Sequence, residues 1–123
     1  EDAKQFLDDP RSATPDGGGD LPPNNGFAGT STPTPIPQGT ILDRYGGVTG
    51  DFLAPEGTFP WARSLPPGGE ARPITRYRVK TSNFAPQGGR AAPWYAQPGG
   101  GIQYDCGQSI ESLIAQGILE GPL

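Results

Sequence analysis

The run from Ala92 to Tyr104, Ala-Pro-Trp-Tyr-Ala-Gln-Pro-Gly-Gly-Gly-Ile-Gln-Tyr, constrains the fold most, because three consecutive glycines lead straight into a short apolar segment. Glycine reaches positive φ and admits a close neighbour, at an entropic cost that an ordinary loop has no reason to bear. The run therefore reads as the floor of a binding cleft, with Gly101 a backbone contact for a ligand. A dinucleotide-binding βαβ unit places its glycines between a strand and the helix that follows it. Here they precede a strand, which rejects a Rossmann domain.

The elements around this run are short. Ile41 to Tyr45 is a strand candidate ended by Gly46-Gly47, and Gly50 to Leu53 pairs back on it as a hairpin, bringing Arg44 near Phe52. Glu56 to Arg63 holds a helical turn, stopped by Leu65-Pro66-Pro67-Gly68-Gly69. Ile74 to Lys80 alternates most clearly: Thr75, Tyr77 and Val79 face the core, while Ile74, Arg76, Arg78 and Lys80 form a solvated basic face. Ile102 to Cys106 is a further strand. Ser109 caps a helix with Glu111 in its first turn, Ile110, Leu113 and Ile114 on one face and Gly117 at its stop. Ile118 to Glu120 forms a last short strand. Leu21 to Pro37 wraps in extended and turn conformations, anchored by Phe27 and Ile36.

With 20 Gly and 16 Pro among 123 residues, and only 33% hydrophobic residues, the chain builds a loop-rich domain with a modest core. The expected fold class is α+β: a small loop-rich domain with a short-stranded, mostly antiparallel β-sheet core and a C-terminal helix. Residues 1–22 read as a flexible N-terminal linker or arm, and 23–123 as the domain.

Several function classes fall away. A formal net charge of −4 gives no basic field for nucleic acid. The absence of histidine removes Ser-His and Cys-His catalysis and argues against a zinc site, so no metal is expected. The single Cys106 makes no internal disulfide and reads as a small strand hydrophobe. No apolar run is long enough for this segment to insert into a membrane.

Three features are candidates for chemistry. Arg44, in Asp43-Arg44-Tyr45-Gly46-Gly47, has a planar fork that grips phosphate oxygens; its alternative is an ion pair with Asp43 or Asp51. Arg63, in Phe59-Pro60-Trp61-Ala62-Arg63, repeats the pairing of aromatic and guanidinium, and two converging arginines suit a pyrophosphate. Trp61 by itself reads as core packing. Gln103 carries an amide that donates and accepts, able to read a carboxamide or ribose hydroxyls, with an exposed edge position as the alternative.

A set of blocks then occurs in order: Asn25-Gly26-Phe27-Ala28-Gly29-Thr30, Gly39-Thr40-Ile41-Leu42-Asp43-Arg44-Tyr45-Gly46, Phe52-Leu53-Ala54-Pro55, Ala62-Arg63-Ser64-Leu65-Pro66-Pro67, Tyr77-Arg78-Val79 and Pro93 to Tyr104. Together they resemble the tuberculosis necrotizing toxin domain family of NAD and NADP glycohydrolases, over roughly Pro23 to Glu120. The resemblance implies hydrolysis of the nicotinamide–ribose bond to nicotinamide and ADP-ribose. It implies that Arg44 and Arg63 hold the phosphates, that Tyr45 and Phe52 pack on the nicotinamide end, and that Gln103 is the essential polar group at the scissile bond. Cleavage through an oxocarbenium-like centre needs positioning and charge stabilisation more than a strong nucleophile, and Asp43, Asp51 and Asp105 are candidates to stabilise the cation. Thr75 stands, on the substrate side, where several members carry a histidine. One cysteine and no dense acidic calcium loop set the chain nearer the bacterial members than the fungal ones.

The resemblance further implies an effector that is secreted or injected and acts in the target-cell cytosol, with NAD or NADP as substrate, no resident cofactor, and a cognate immunity protein that plugs the cleft. Two other readings stand beside it. One is a catalytically impaired nucleotide- or protein-binding module of the same fold; the other is a structural surface domain, which gives no reason for the Arg44, Arg63 and Gln103 blocks.

Overall fold

The computed structural model describes residues 24–66 and 68–123. The expected arm at 1–22 lies outside them. Seven strands, β1 (Thr32–Pro33), β2 (Ile41–Tyr45), β3 (Phe52–Pro55), β4 (Ile74–Val79), β5 (Gln87–Arg90), β6 (Ile102–Asp105) and β7 (Leu119–Glu120), form one sheet in the order β1-β5-β6-β3-β2-β4-β7. Among the described residues every pairing is antiparallel and one helix, α1 (Ile110–Ala115), lies near the C-terminus, which is the expected α+β class.

The local signals act as their chemistry dictates. The Ser109 side chain accepts from the Ser112 N–H at 3.2 Å and starts α1, and Gly117 beyond it takes φ 78°. The helical turn expected at Glu56 to Arg63 is a 3-10 turn at Pro60–Ala62, with Pro in its first position. A second 3-10 turn, Gly69–Ala71, occupies part of the segment expected only to stop a helix.

Register fixes what each face carries, because side chains of paired residues point to the same side of a sheet and successive ones to opposite sides. Leu42 pairs with Tyr77 and Leu53 with Tyr104, so Leu42, Leu53, Tyr77, Val79 and Tyr104 share one side. On that side Ile110, Leu113, Leu119, Ile36 and Phe84 complete the main core. The opposite side presents Asp43, Tyr45, Phe52, Ala54 and Gln103. A smaller cluster of Ala92, Trp94 and Tyr95, with Ala28 against it, stands apart from the main core.

Two expectations change. Trp61 is not a core residue: it is 51% exposed and stacks on the 63%-exposed Phe59, with ring centroids 5.5 Å apart. Its turn is anchored instead through backbone bonds and the small Ala62, which is buried. Strand β5 has no counterpart among the expected elements, since Gln-Gly-Gly-Arg lacks every strand-favouring side chain. It forms because it is paired on both edges, by β1 and β6, and a Cβ on Gly88 would stand 2.5 Å from the Thr34 hydroxyl.

Candidate active site

The non-core side of the sheet opens into a cleft of about 330 Å³, at the lower end of the roughly 300–1,000 Å³ usual for small-molecule sites. Its floor is Asp43, Tyr45, Phe52, Ala54 and Gln103 from β2, β3 and β6. Its wall is Arg63, Ser64, Leu65, Pro66, Gly69 and Arg72, and Asn25, Gly26 and Tyr95 close the remainder. Of the residues singled out from sequence, Arg44, Tyr45, Phe52, Arg63 and Gln103 come together here; Thr75 and Gly101 are not among the lining residues.

Arg44 leaves β2 on the core side, borders the cleft, and has its guanidinium enclosed by the β2–β3 loop. Its Nη1 donates to the Phe52 carbonyl at 2.9 Å, which realises the expected proximity of the two residues. The loop wraps so closely that a Cβ on Gly50 would collide with the Arg44 guanidinium, so this position requires glycine. Neither Asp43 nor Asp51 makes an ion pair with Arg44, whose Nε is buried with no hydrogen-bond partner. Burial lowers the Arg44 pKa, and the neighbouring charge of Arg72 acts in the same direction.

Arg63 is bound differently. Its Nη2 lies 2.6 Å from Asp43 Oδ1, with side-chain exposures of only 7% and 2% for the two residues. Its Nε donates to the Thr58 carbonyl at 2.9 Å and its Nη1 to the Asp43 carbonyl at 3.4 Å. The guanidinium also sits over the Tyr45 ring, 4.9 Å from its centroid. Its charge is therefore matched and its fork engaged, and it locks the wall onto the floor. Asp43 Oδ2 accepts the Gly57 N–H at 2.9 Å, so the carboxylate that lines the cleft is committed on both oxygens. Asp51 and Asp105 are not among the lining residues, and Asp105 Oδ1 accepts the Gly107 N–H.

Gln103 emerges from the triple glycine on β6. Its Nε2 donates to the Asn25 carbonyl at 3.2 Å, and among the described residues no hydrogen bond engages Oε1. Gly101 supports the wall: its N–H donates to the Ala62 carbonyl at 3.0 Å, and a Cβ there would press within 2.9 Å of Thr58 Cγ2. Thr75 pairs with Arg44 across β4 and β2. Its hydroxyl accepts from Tyr77 Oη at 3.0 Å and donates to the Gly46 carbonyl at 3.1 Å, fixing the start of the loop that encloses Arg44.

Arg72 and Asn25 are cleft residues that sequence reasoning passes over. Arg72 sits between turn-forming Gly68-Gly69 and Pro73, in a stretch whose composition signals only a break, and Asn25 acts through its main chain. Among the described residues no group of three His, Cys, Asp or Glu side chains is placed to hold a metal ion. No helix there is long and apolar enough to cross a membrane.

The chain is 37% identical, over 94% of its own length and 55% of the relative's, to the conidial surface nicotinamide adenine dinucleotide glycohydrolase of Aspergillus fumigatus. It superposes with a TM-score of 0.66 and 29% identity on tuberculosis necrotizing toxin solved with its immunity factor, covering 82% of this chain and 60% of that one. The chain thus spans somewhat over half the length of the relatives it matches, and the higher of the two identities is to a fungal protein, where the single cysteine suggests the bacterial branch. The sequence model of the tuberculosis necrotizing toxin family matches residues 35–121, and the chain belongs to that family.

Proposed function

We propose that this protein is an NAD(P) glycohydrolase that cleaves the nicotinamide–ribose bond and releases nicotinamide and ADP-ribose. The observation that carries the reading is the convergence of Arg44, Tyr45, Phe52 and Gln103, from three different strands, on one cleft. The fungal relative's name, which states this activity, supports it.

In this reading Tyr45 and Phe52 pack against the nicotinamide ring. The free Oε1 of Gln103 lies by the scissile bond, where an amide dipole stabilises positive charge developing on the ribose and orients its hydroxyls or the attacking water. Arg44 holds phosphate. No lining carboxylate is uncommitted, so charge stabilisation falls to the amide and to the substrate's own phosphates. NAD or NADP is the substrate and no resident cofactor takes part. Thr75 acts from behind Arg44, holding its loop.

The immunity factor in the toxin complex and the surface location in the fungal relative's name support an exported toxin that depletes NAD in the cytosol of other cells, with an immunity protein blocking the cleft.

Incubation of the purified protein with NAD and then NADP, with nicotinamide followed by chromatography, tests the reading. Gln103→Ala is expected to abolish release and leave the thermal midpoint close to the parent's, since its one side-chain bond, to Asn25, is solvent-exposed. An equally active variant removes Gln103 from the mechanism. Saturable dinucleotide binding without release by the parent identifies a binding module instead.

A further inference from the structure

Three arginines line the cleft, and among the described residues only one of them is ion-paired. Arg63 is paired with buried Asp43, the one acidic residue of the lining. Arg44 and Arg72 have no ion pair among the described residues. Arg72 is exposed at the end of the Gly69–Ala71 turn, its own N–H closing that turn onto the Gly69 carbonyl at 3.1 Å. Both arginines border one cleft; burial is the main cause that lowers the Arg44 pKa, and the like charge of Arg72 adds to it in the same direction. This local positive pair belongs to a chain whose net charge is −4, so it is a feature of the cleft and not of the surface at large.

We propose that Arg72, together with Arg44, forms the anion subsite of the cleft and takes the pyrophosphate of the dinucleotide, while Arg63 serves as a positioning residue for the wall and for Tyr45. The inference rests on the glycohydrolase reading for the identity of the anion. Its two positive residues come from different elements: Arg44 is fixed by the loop around Gly50, and Arg72 is exposed at the end of the Gly69–Ala71 turn. A bridging dianion relieves the repulsion between them, and each guanidinium supplies charge-assisted hydrogen bonds to phosphate oxygens.

Binding of inorganic pyrophosphate, measured by titration calorimetry on the parent, Arg72→Ala and Arg72→Lys, tests the subsite without turnover. Arg72→Ala is expected to weaken binding about tenfold, as for loss of one charged hydrogen bond at a solvent-exposed position, and Arg72→Lys less. With NAD, the loss is expected to fall on KM more than on kcat, with the thermal midpoint unmoved. Absence of pyrophosphate binding by the parent, or equal affinity in parent and Arg72→Ala, overturns the subsite whether or not NAD is cleaved. Weakened binding in the variant beside a parent that releases no nicotinamide upholds the subsite and overturns the hydrolase.

Discussion

The assignment of Arg63 to the wall makes a quantitative demand on stability. Asp43→Asn keeps the side chain's volume and removes its charge. The amide cannot serve both neighbours: if its oxygen accepts the Gly57 N–H, its NH₂ faces Arg63 Nη2, and the flipped amide meets Gly57 with a donor. Either way a guanidinium whose side chain is 7% exposed loses its counter-charge, and little solvent is present to screen the loss. Breaking one partner out of such a buried pair costs on the order of 3–5 kcal/mol. A domain of about 100 residues has roughly 5–15 kcal/mol in all. At about 4–8 °C per kcal/mol, the thermal midpoint falls by roughly 12–40 °C. Adding Arg63→Met removes the stranded charge while the amide introduced at position 43 can still accept from Gly57, and is expected to recover most of the loss. Scanning calorimetry on parent, both single variants and the double variant supplies the full cycle. A single Asp43→Asn variant melting within about 2 °C of the parent refutes the wall assignment, because that corresponds to well under 1 kcal/mol.

Three further outcomes are expected, beside those stated for Gln103 and Arg72. Ser109→Ala removes the cap of α1 and is expected to cost about 1 kcal/mol, lowering the melting midpoint by about 4–8 °C with nicotinamide release unchanged at room temperature. Burial first, then Asp105 and Asp51, push the Cys106 thiol from 9.0 up to about 12, against the opposing charge of Arg44. Its thiolate fraction at pH 8 is thereby about a thousandfold below that of a free thiol, so iodoacetamide labelling should be slow until urea unfolds the chain. The fold holds this thiol protonated and the unfolded chain does not. The corresponding stability is therefore complete below pH 9 and lost as pH rises toward 12, a decline expected to be smaller in Cys106→Ala.

Legibility from sequence follows the physics of each segment. Strand β4 was readable because Thr75, Tyr77 and Val79 alternate with charged residues, and α1 because Ser109, its apolar face and Gly117 all agree. Strand β5 was not, since its two glycines carry no preference of their own and are placed by their neighbours, Thr34 and Tyr104 against Gly88 and Phe27 and Thr30 against Gly89. Trp61 misled because ring size suggests burial, whereas the chain buries the methyl of Ala62 and leaves the indole outside. In the site, Gln103 and Arg44 were found through their blocks. The partner of Asp43 was not: neighbours on a strand face opposite ways, so Asp43 turns from Arg44 toward Arg63, a residue distant in sequence whose approach depends on the 3-10 turn. Arg72 was hidden by the turn residues around it.

The Trp61–Leu65 segment is held at several points by the run that ends in the triple glycine. Gly99 and Gly101 N–H groups donate to the Trp61 and Ala62 carbonyls, each at 3.0 Å. The Gln97 amide brackets the main chain of Leu65 from both sides, at 2.6 and 3.3 Å, and the Ser64 hydroxyl donates to the Ala92 carbonyl. A receptor set this firmly before its ligand arrives loses little conformational entropy on association, so more of the contact energy survives as affinity. The same rigidity limits accommodation: a ligand of altered geometry must bear the distortion itself. It also simplifies inhibition, because a protein inhibitor shaped to the empty cleft gains full complementarity without having to remodel it.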